Sequence, residues 1–519
     1  MLEIKNALIS VYNKDNIISL AKVLEENGVK IYCTEGTFKY LNENGIHSIK
    51  ISEYTGSEEM LDGRVKSLHP KIFAGILADK NNKEHLHQLK ELGVEPIDLV
   101  VVNLYPFEEG LRKGLSVSEM TELIDIGGVA LLRAGAKNYT NCCVLSSPED
   151  YEHFINEIKL NGGISLPLRI ELAVKTFFKT SRYDSIISGY ISETGGIKQK
   201  VEMPEVLSIE LMKVDELRYG ENPHQKSSLY ELTEDPYSII KFEQLHGKKL
   251  SYNNYMDMDT AVSIVTEFEE PACAIIKHAG PCGVGTGNNI YEAFNRAYTT
   301  DPISSFGGII AVNRRLDYET ANDISSSFFE VVMAPDFEPD ALNTIQKRKN
   351  LRIIKMPIDK FPVKKYFKLY KIMGGLLLQE GDWEKDDPTK WDVVSDREPT
   401  ETEWKSLIFA NKVVKWVKSN GIVIASKNET IGIGGGQPSR VDSVEIAIKK
   451  AHNQGHYTGG TALASDGFFP FRDSIDVAQE AGVSAIVEPG GSIRDREVID
   501  AANEFDIALV FTHKRHFRH

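Results

Sequence analysis

Apolar positions in the first two hundred residues alternate between two rhythms. Short unbroken runs, Ala7 to Val11 and Val29 to Cys33, read as buried strands. Between them Ile17 to Leu24 repeats at helical spacing and stops at Gly28, and a Gly36-Thr37 turn opens a further helix. Such a βαβα opening predicts a parallel sheet. Asp98 to Asn103 adds a strand, because Leu99-Val100-Val101-Val102 is continuous apolar sequence halted by Tyr105-Pro106. Helical spacing returns over Val129 to Lys137 and Pro167 to about Ile191. The polar, Gly-bearing stretch from Glu193 to Pro204 reads as a linker, which divides the chain into 1–199 and 200–519.

Beyond the linker the α/β pattern restarts, with strands predicted at Cys273 to Lys277, Ile309 to Asn313 and Gly421 to Ser426. Two stretches resemble each other. Gly283 to Phe306 and Gly432 to Phe468 each run from a Gly-rich turn through a helix to an Asp and a Phe, which suggests a duplication. Gly381 to Glu403, rich in charge and Pro, is expected to be a surface connection between the halves.

The composition narrows the class. The 519 residues allow about three domains at roughly 150 residues each. A net charge of −15 argues against a broad nucleic-acid or anionic-membrane surface, so any anionic ligand must meet a local group of cations. The five cysteines show no metal-binding spacing, and no stretch reaches the roughly 18 apolar residues of a membrane span. These features point to a cytoplasmic protein with neither membrane nor nucleic acid as partner.

Several clusters could carry chemistry. Asp62 to Lys71 packs Arg64, Lys66, Lys71 and His69 around Gly63 and Pro70. It is either a solvated loop or a phosphate-binding one, since Arg and Lys supply charge-assisted donors. Ser10 and Lys14 follow the first strand, and Thr34, Gly36 and Thr37 follow the second, where α/β sheets bind ligands. Asp125 precedes a helix that ends at Lys137. They are a turn residue and an end-of-helix cation, or an acid and base pair with Tyr105 nearby.

Lys277-His278 ends a strand before the enforced turn Gly280-Pro281; the imidazole is structural there, or it moves a proton. Pro281-Cys282 lacks the second Cys and the preceding H-x-E of a zinc deaminase, so zinc is disfavoured. Arg218 to Gln225 is a compact polar loop. Phe468 to Arg472 supplies core aromatics or a wall for a flat heterocycle. The last residues, Arg515 to His519, are basic in an acidic chain.

Ten collinear segments carry a family resemblance: Leu61 to Lys71, Asn103 to Phe107, Ile124 to Gly128, Ala136 to Asn138, Arg218 to Gln225, Lys277 to Gly283, Asp301 to Gly308, Gly432 to Ser443, Ser465 to Asp473 and Pro489 to Asp495. The chain resembles the bifunctional family that joins an IMP cyclohydrolase to an aminoimidazole-carboxamide ribonucleotide (AICAR) formyltransferase. The resemblance implies a methylglyoxal-synthase-like parallel-sheet domain followed by two cytidine-deaminase-like α/β halves. Its second domain would move a formyl group from 10-formyl-tetrahydrofolate to the 5-amino group of AICAR. Its first would close formyl-AICAR to IMP.

By the same resemblance, Lys277, His278 and Asn420 serve transfer, and Lys66, Tyr105, Asp125 and Lys137 serve closure. Ser10, Lys14, Thr34, Gly36, Thr37, Arg64, Ser67 and Asn103 would bind the first domain's nucleotide. Arg218, Tyr219, Phe306, Gly307, Glu330, Arg440, Phe468, Ser492, Ile493 and Arg515 would surround nucleotide and folate in the second. The resemblance also implies a homodimer and no tightly bound cofactor, and allows a structural monovalent cation. Gly280, Asn411 and Glu35 depart from its pattern. Two other readings remain at this point: a regulatory nucleotide-binding first domain, and methylglyoxal synthesis, which leaves the second domain unexplained.

Overall fold

A computed structural model describes residues 1–61, 64–194, 203, 206–232, 238–361 and 365–519. Its two compact units are Met1–Glu210 and Leu211–His519. The expected linker from Gly195 and the boundary at 199/200 lie outside the described residues, as do Asp62 and Gly63.

The first unit is built on five parallel strands: β1 (Asn6–Val11), β2 (Lys30–Cys33), β3 (Ile49–Lys50), β4 (Leu99–Asn103) and β5 (Cys143–Leu145). Their order is β3-β2-β1-β4-β5. Because side chains alternate along a strand, Ile9 and Val101 pack with Leu20 and Leu24 on one face, while Leu8 and Val100 pack with Leu131 and Ile76 on the other. Both faces are covered, which is why these strands read as continuous apolar runs. The order reverses at β1 and β4, so a crevice opens beyond Val11 and Asn103.

The second unit holds two outlying hairpins, β6 (Leu211–Leu217) with β7 (Ser227–Leu232) and β14 (Phe367–Ile372) with β15 (Gly375–Glu380). Its main sheet has twelve strands. These are β8 (Glu243–His246), β9 (Ala272–Lys277), β10 (Gly280–Thr286), β11 (Ile309–Val312), β12 (Val331–Ala334), β13 (Arg352–Lys355), β16 (Asp392–Val393), β17 (Ile422–Ser426), β18 (Glu429–Gly434), β19 (Ala462–Ser465), β20 (Ala485–Glu488) and β21 (Ala508–Phe511). The duplication suspected from sequence is present in the topology. The order β10-β9-β11-β12-β13 repeats as β18-β17-β19-β20-β21, with the same antiparallel and parallel pairings, and the halves join where Gly285 of β10 faces Glu429 of β18.

The glycines that suggested turns lie instead on strands under helices. A Cβ on Gly283 would stand 1.9 Å from the Ala297 carbonyl oxygen, and one on Gly432 would stand 2.1 Å from that of Ala447. Helices Ile290–Thr300 and Arg440–Asn453 therefore sit directly on the backbone of β10 and β18. The trailing Asp and Phe do not correspond: Asp301 caps the helix before β11, whereas Asp466 follows β19. Nor is Gly381 to Glu403 merely a surface connection. Trp391 is buried in the core and β16 pairs with β21. No helix among the described residues is long and apolar enough to cross a membrane.

Candidate active sites

In the first unit the crevice at the strand ends is a cavity of about 680 Å³, lined by Ser10, Lys14, Thr34, Gly36, Thr37, Arg64, Lys66, Ser67, Asn103, Tyr105 and Asp125, among others. Two helix N-termini open on it, Glu35–Glu43 and Gly127–Lys137, so unpaired backbone N–H groups and two positive dipole ends face the same space. Close approach needs glycine at the second helix: a Cβ on Gly127 would meet Ser67 Oγ at 2.6 Å, and one on Gly128 the Asp125 carboxylate at 2.4 Å.

Hydrogen bonds preset this crevice. Asn103 Oδ1 accepts from the Tyr12 and Asn13 N–H groups at 2.6 and 2.9 Å, which fixes the loop after β1. Lys14 Nζ donates to Thr37 Oγ1 at 3.0 Å, and burial lowers its pKa. Lys66 Nζ donates to the Tyr105 hydroxyl at 3.3 Å. The Asp125 carboxylate accepts from Gly128 N–H at 2.6 Å, and burial pushes its pKa up, only partly opposed by that bond and by Lys66. A group that holds its proton more readily than an ordinary carboxyl thus stands across one cavity from an ammonium, a pairing suited to proton transfer. Glu35 also lines the cavity, but Lys39 and Lys50 pair with it at 3.3 and 3.1 Å.

Lys137 does not reach this cavity. It is exposed at the C-terminal end of the helix whose N-terminus carries Gly127 and Gly128, about 15 Å along the axis at 1.5 Å per residue. Helical geometry thus separates the Asp125 and Lys137 pair that was expected together.

In the second unit, Lys277, His278, Gly280, Pro281, Cys282, Ser304, Lys418, Gly435 and Lys450 are among the lining of a cavity of about 390 Å³ at the β9–β10 turn. His278 and Ala279 both have positive φ, 55° and 56°, the only consecutive non-glycine pair among the described residues. Each such residue costs about 1–3 kcal/mol and persists only where its surroundings hold it. The Ala279 N–H donates to Asp257 Oδ1 at 2.6 Å, and Lys277 Nζ donates to the Phe306 carbonyl at 2.7 Å. Gly307, at φ 77°, continues that loop, and its N–H donates to the Phe328 carbonyl at 2.7 Å. Glu330 is braced by Asn254 Nδ2 at 2.8 Å.

Arg440, expected to bind a ligand, is buried and turned inward. It is paired with Asp466 and donates to Ser465 Oγ at 2.7 Å and to Asn420 Oδ1 at 2.8 Å. Its demonstrable work is to orient the Asn420 amide, whose Nδ2 donates to the Gln437 carbonyl at 3.0 Å. Arg218, Tyr219, Ser492, Ile493 and Arg515 do not line the Lys277 cavity. The Arg218 and Arg515 guanidinium groups lie over the rings of Tyr219 and Phe517, at 5.6 and 4.2 Å, and Ile493 is fully exposed. Phe468 is partly exposed beside the buried Phe469, whose N–H donates to Glu488 Oε2 at 2.5 Å. Glu488 is fully buried, its other oxygen has no partner, and burial pushes its pKa up to about 8.

The basic tail is ordered. His516 lies between Asp382, with which it makes a short contact, and Asp386, at 2.8 Å from Nε2. The two carboxylates hold the imidazole's pKa up at about 9 against the opposing effect of burial. Asn411, one of the departures, donates to Asp386 at 2.6 Å and belongs to this cluster. Sequence reasoning missed Asp257, Asp466 and Glu488. Asn254 and Asp257 left a trace, polar residues three apart on a helix beside the site.

The folds and crevices define a protein of two α/β units, each with a polar site at strand ends. Residues 16–130 match the MGS-like domain, and residues 135–450 match the AICARFT/IMPCHase bienzyme family. Over 520 residues the chain is 49% identical to the bifunctional purine biosynthesis protein PurH of Caldicellulosiruptor saccharolyticus, and equally to that of Persephonella marina, covering 99% of this chain and 100% of each relative. It is 48% identical to the Bacillus cereus protein of that name over 517 residues, again 99% and 100% of the two chains. The chain belongs to the AICARFT/IMPCHase bienzyme family.

Proposed function

We propose that the chain carries out the last two steps of IMP synthesis, formyl transfer to AICAR in the second unit and ring closure of formyl-AICAR in the first. The observation that carries this division is the pair of unlike sites: one crevice with cations and two helix N-termini, and one strained turn presenting Lys277 and His278.

In transfer, the 5-amino group of AICAR is a poor nucleophile because its lone pair is conjugated with the ring. His278 accepts its proton as it attacks the formyl carbon of 10-formyl-tetrahydrofolate. The tetrahedral oxyanion then collapses, the bond to the folate nitrogen breaks, and Lys277 supplies that nitrogen's proton. Asn420, held by Arg440, orients the reacting groups. Phe306, Gly307, Glu330 and Phe468, together with Arg218, Tyr219, Ser492, Ile493 and Arg515, are proposed to surround nucleotide and folate once these are bound.

In closure, the carboxamide nitrogen attacks the formyl carbon and water leaves. The first unit holds the phosphate with Lys14, Arg64, Ser10, Thr34, Gly36, Thr37, Ser67 and the helix N-termini, while Asn103 fixes the loop that frames the site. Lys66, Tyr105 and Asp125 move the protons, so Lys66 takes the part first expected of Lys137. We place the enzyme in the cytoplasm as a homodimer.

The deciding assay supplies AICAR and 10-formyl-tetrahydrofolate and follows tetrahydrofolate and IMP. Absence of both products would refute the reading. Lys66→Ala should slow closure of supplied formyl-AICAR by about 100-fold or more, whereas Lys137→Ala should change it by less than about fivefold. The reverse pattern would restore the assignment to Lys137.

A further inference from the structure

The strained turn at His278 has to be held by something, and the only side-chain oxygen bonded to its backbone among the described residues belongs to Asp257, on the helix Tyr252–Val265. Ala279 has no glycine's freedom at φ 56°, and His278 stands in the same left-handed region beside it. The Ala279 side chain offers none of the local hydrogen bonding that lets Asn or Asp adopt this conformation cheaply. The acceptor must come from elsewhere in the fold, and the 2.6 Å bond from the Ala279 N–H to Asp257 Oδ1 supplies it. One turn earlier on the same helix, Asn254 holds Glu330, so a single helical face steadies two parts of the site.

We infer that Asp257 is a positioning residue for formyl transfer: by bonding the Ala279 N–H it keeps the β9–β10 turn left-handed and aims the His278 imidazole at the cavity. The inference rests on the reading of His278 as the base. Asp257 touches no substrate in this scheme; it acts through the backbone. Burial raises the pKa of its carboxyl, opposed only in part by the Ala279 N–H and His278.

The test is steady-state formyl transfer by Asp257→Ala, Asp257→Asn, and Asp257→Ala combined with Ala279→Gly. Asp257→Ala should lower kcat by about 100-fold with the KM for AICAR within about threefold, because misaiming the base affects the chemical step. Asp257→Asn keeps an oxygen acceptor and should stay within about fivefold of wild type. Ala279→Gly removes the cost of positive φ and should return about tenfold of the lost kcat in the double variant.

A kcat for Asp257→Ala within about twofold of wild type would overturn the inference. So would a double variant no faster than the single, or an Asp257→Asn as slow as His278→Ala. If Asp257→Ala fails to fold, the Asn variant decides alone. If His278→Ala itself retains transfer, the reading of His278 fails; if only Asp257→Ala does, the positioning role fails.

Discussion

The two halves of the second unit share a frame and differ in what they do with it. Both seat a helix on strand glycines, Gly283 and Gly285 in one half, Gly432 and Gly434 in the other. Both begin with a helix closed by a capping box, at Ser251 and at Thr400. Their hairpin turns diverge. The β9–β10 turn carries His278 and Ala279 at positive φ over a cavity, whereas the β17–β18 turn, Lys427-Asn428, has ordinary backbone and spends its Asn428 carbonyl on the Thr286 N–H at 2.8 Å. Packing constrains the frame in both copies alike, and of the two hairpin turns only the one that presents reactive groups is strained. A second contrast falls at the strand ends: β12 closes on Ala334, whereas β20 closes on the buried carboxyl of Glu488.

The sharpest way to break this comparison is at the turns. His278→Ala should reduce formyl transfer by about 1000-fold in a steady-state assay, while Lys427→Ala at the other turn changes it by less than about twofold. Equal losses would mean that both turns serve the reaction. Next come the glycines. Gly283→Ala and Gly432→Ala should each destabilise the protein by about 3 kcal/mol in urea unfolding, since the added methyl meets backbone that cannot yield easily. A cost at only one of them would show that the frames are not equivalent.

The smallest effect belongs to Glu488. Its folded-state pKa, about 8, lies above the ordinary 4.5, so the folded state binds this proton more tightly than the unfolded one. Stability is therefore lost as pH rises between those values, and the loss is complete above about 8. Glu488→Gln removes the ionisation while keeping an acceptor for the Phe469 N–H. It should match wild type near pH 4.5 and gain at least about 1 kcal/mol over it by pH 9, read from thermal unfolding at each pH. A constant difference across that range would place the carboxyl in contact with water.

What was legible in the sequence follows the range of the forces involved. The run Leu99 to Val102 announced β4 because a strand covered on both faces has no polar alternation to disguise it. The crevice of the first unit was legible because strand ends and helix starts adjoin in the chain. The pairing of Arg440 was not legible because its partner Asp466 lies 26 residues away, and nothing local marks a cation as already paired. The glycines were misread for a similar reason: a residue chosen to admit a helix looks in sequence like one chosen to bend the chain. Lys137 was set beside Asp125 as one reading of the residues and again by resemblance, although the intervening helix keeps them apart.

Residues 516–518 add a long-range constraint. His516 is gripped by Asp382 and Asp386, Arg518 donates to Thr260 Oγ1 at 2.8 Å, and the Ser419 N–H donates to the Arg518 carbonyl at 2.9 Å. The stretch that leads into Asn420 is thus fixed by residues far along the chain from it. Strand pairing in the main sheet and the backbone before Asn420 are secured by different parts of the chain, so a cut before His516 would spare the first and release the second.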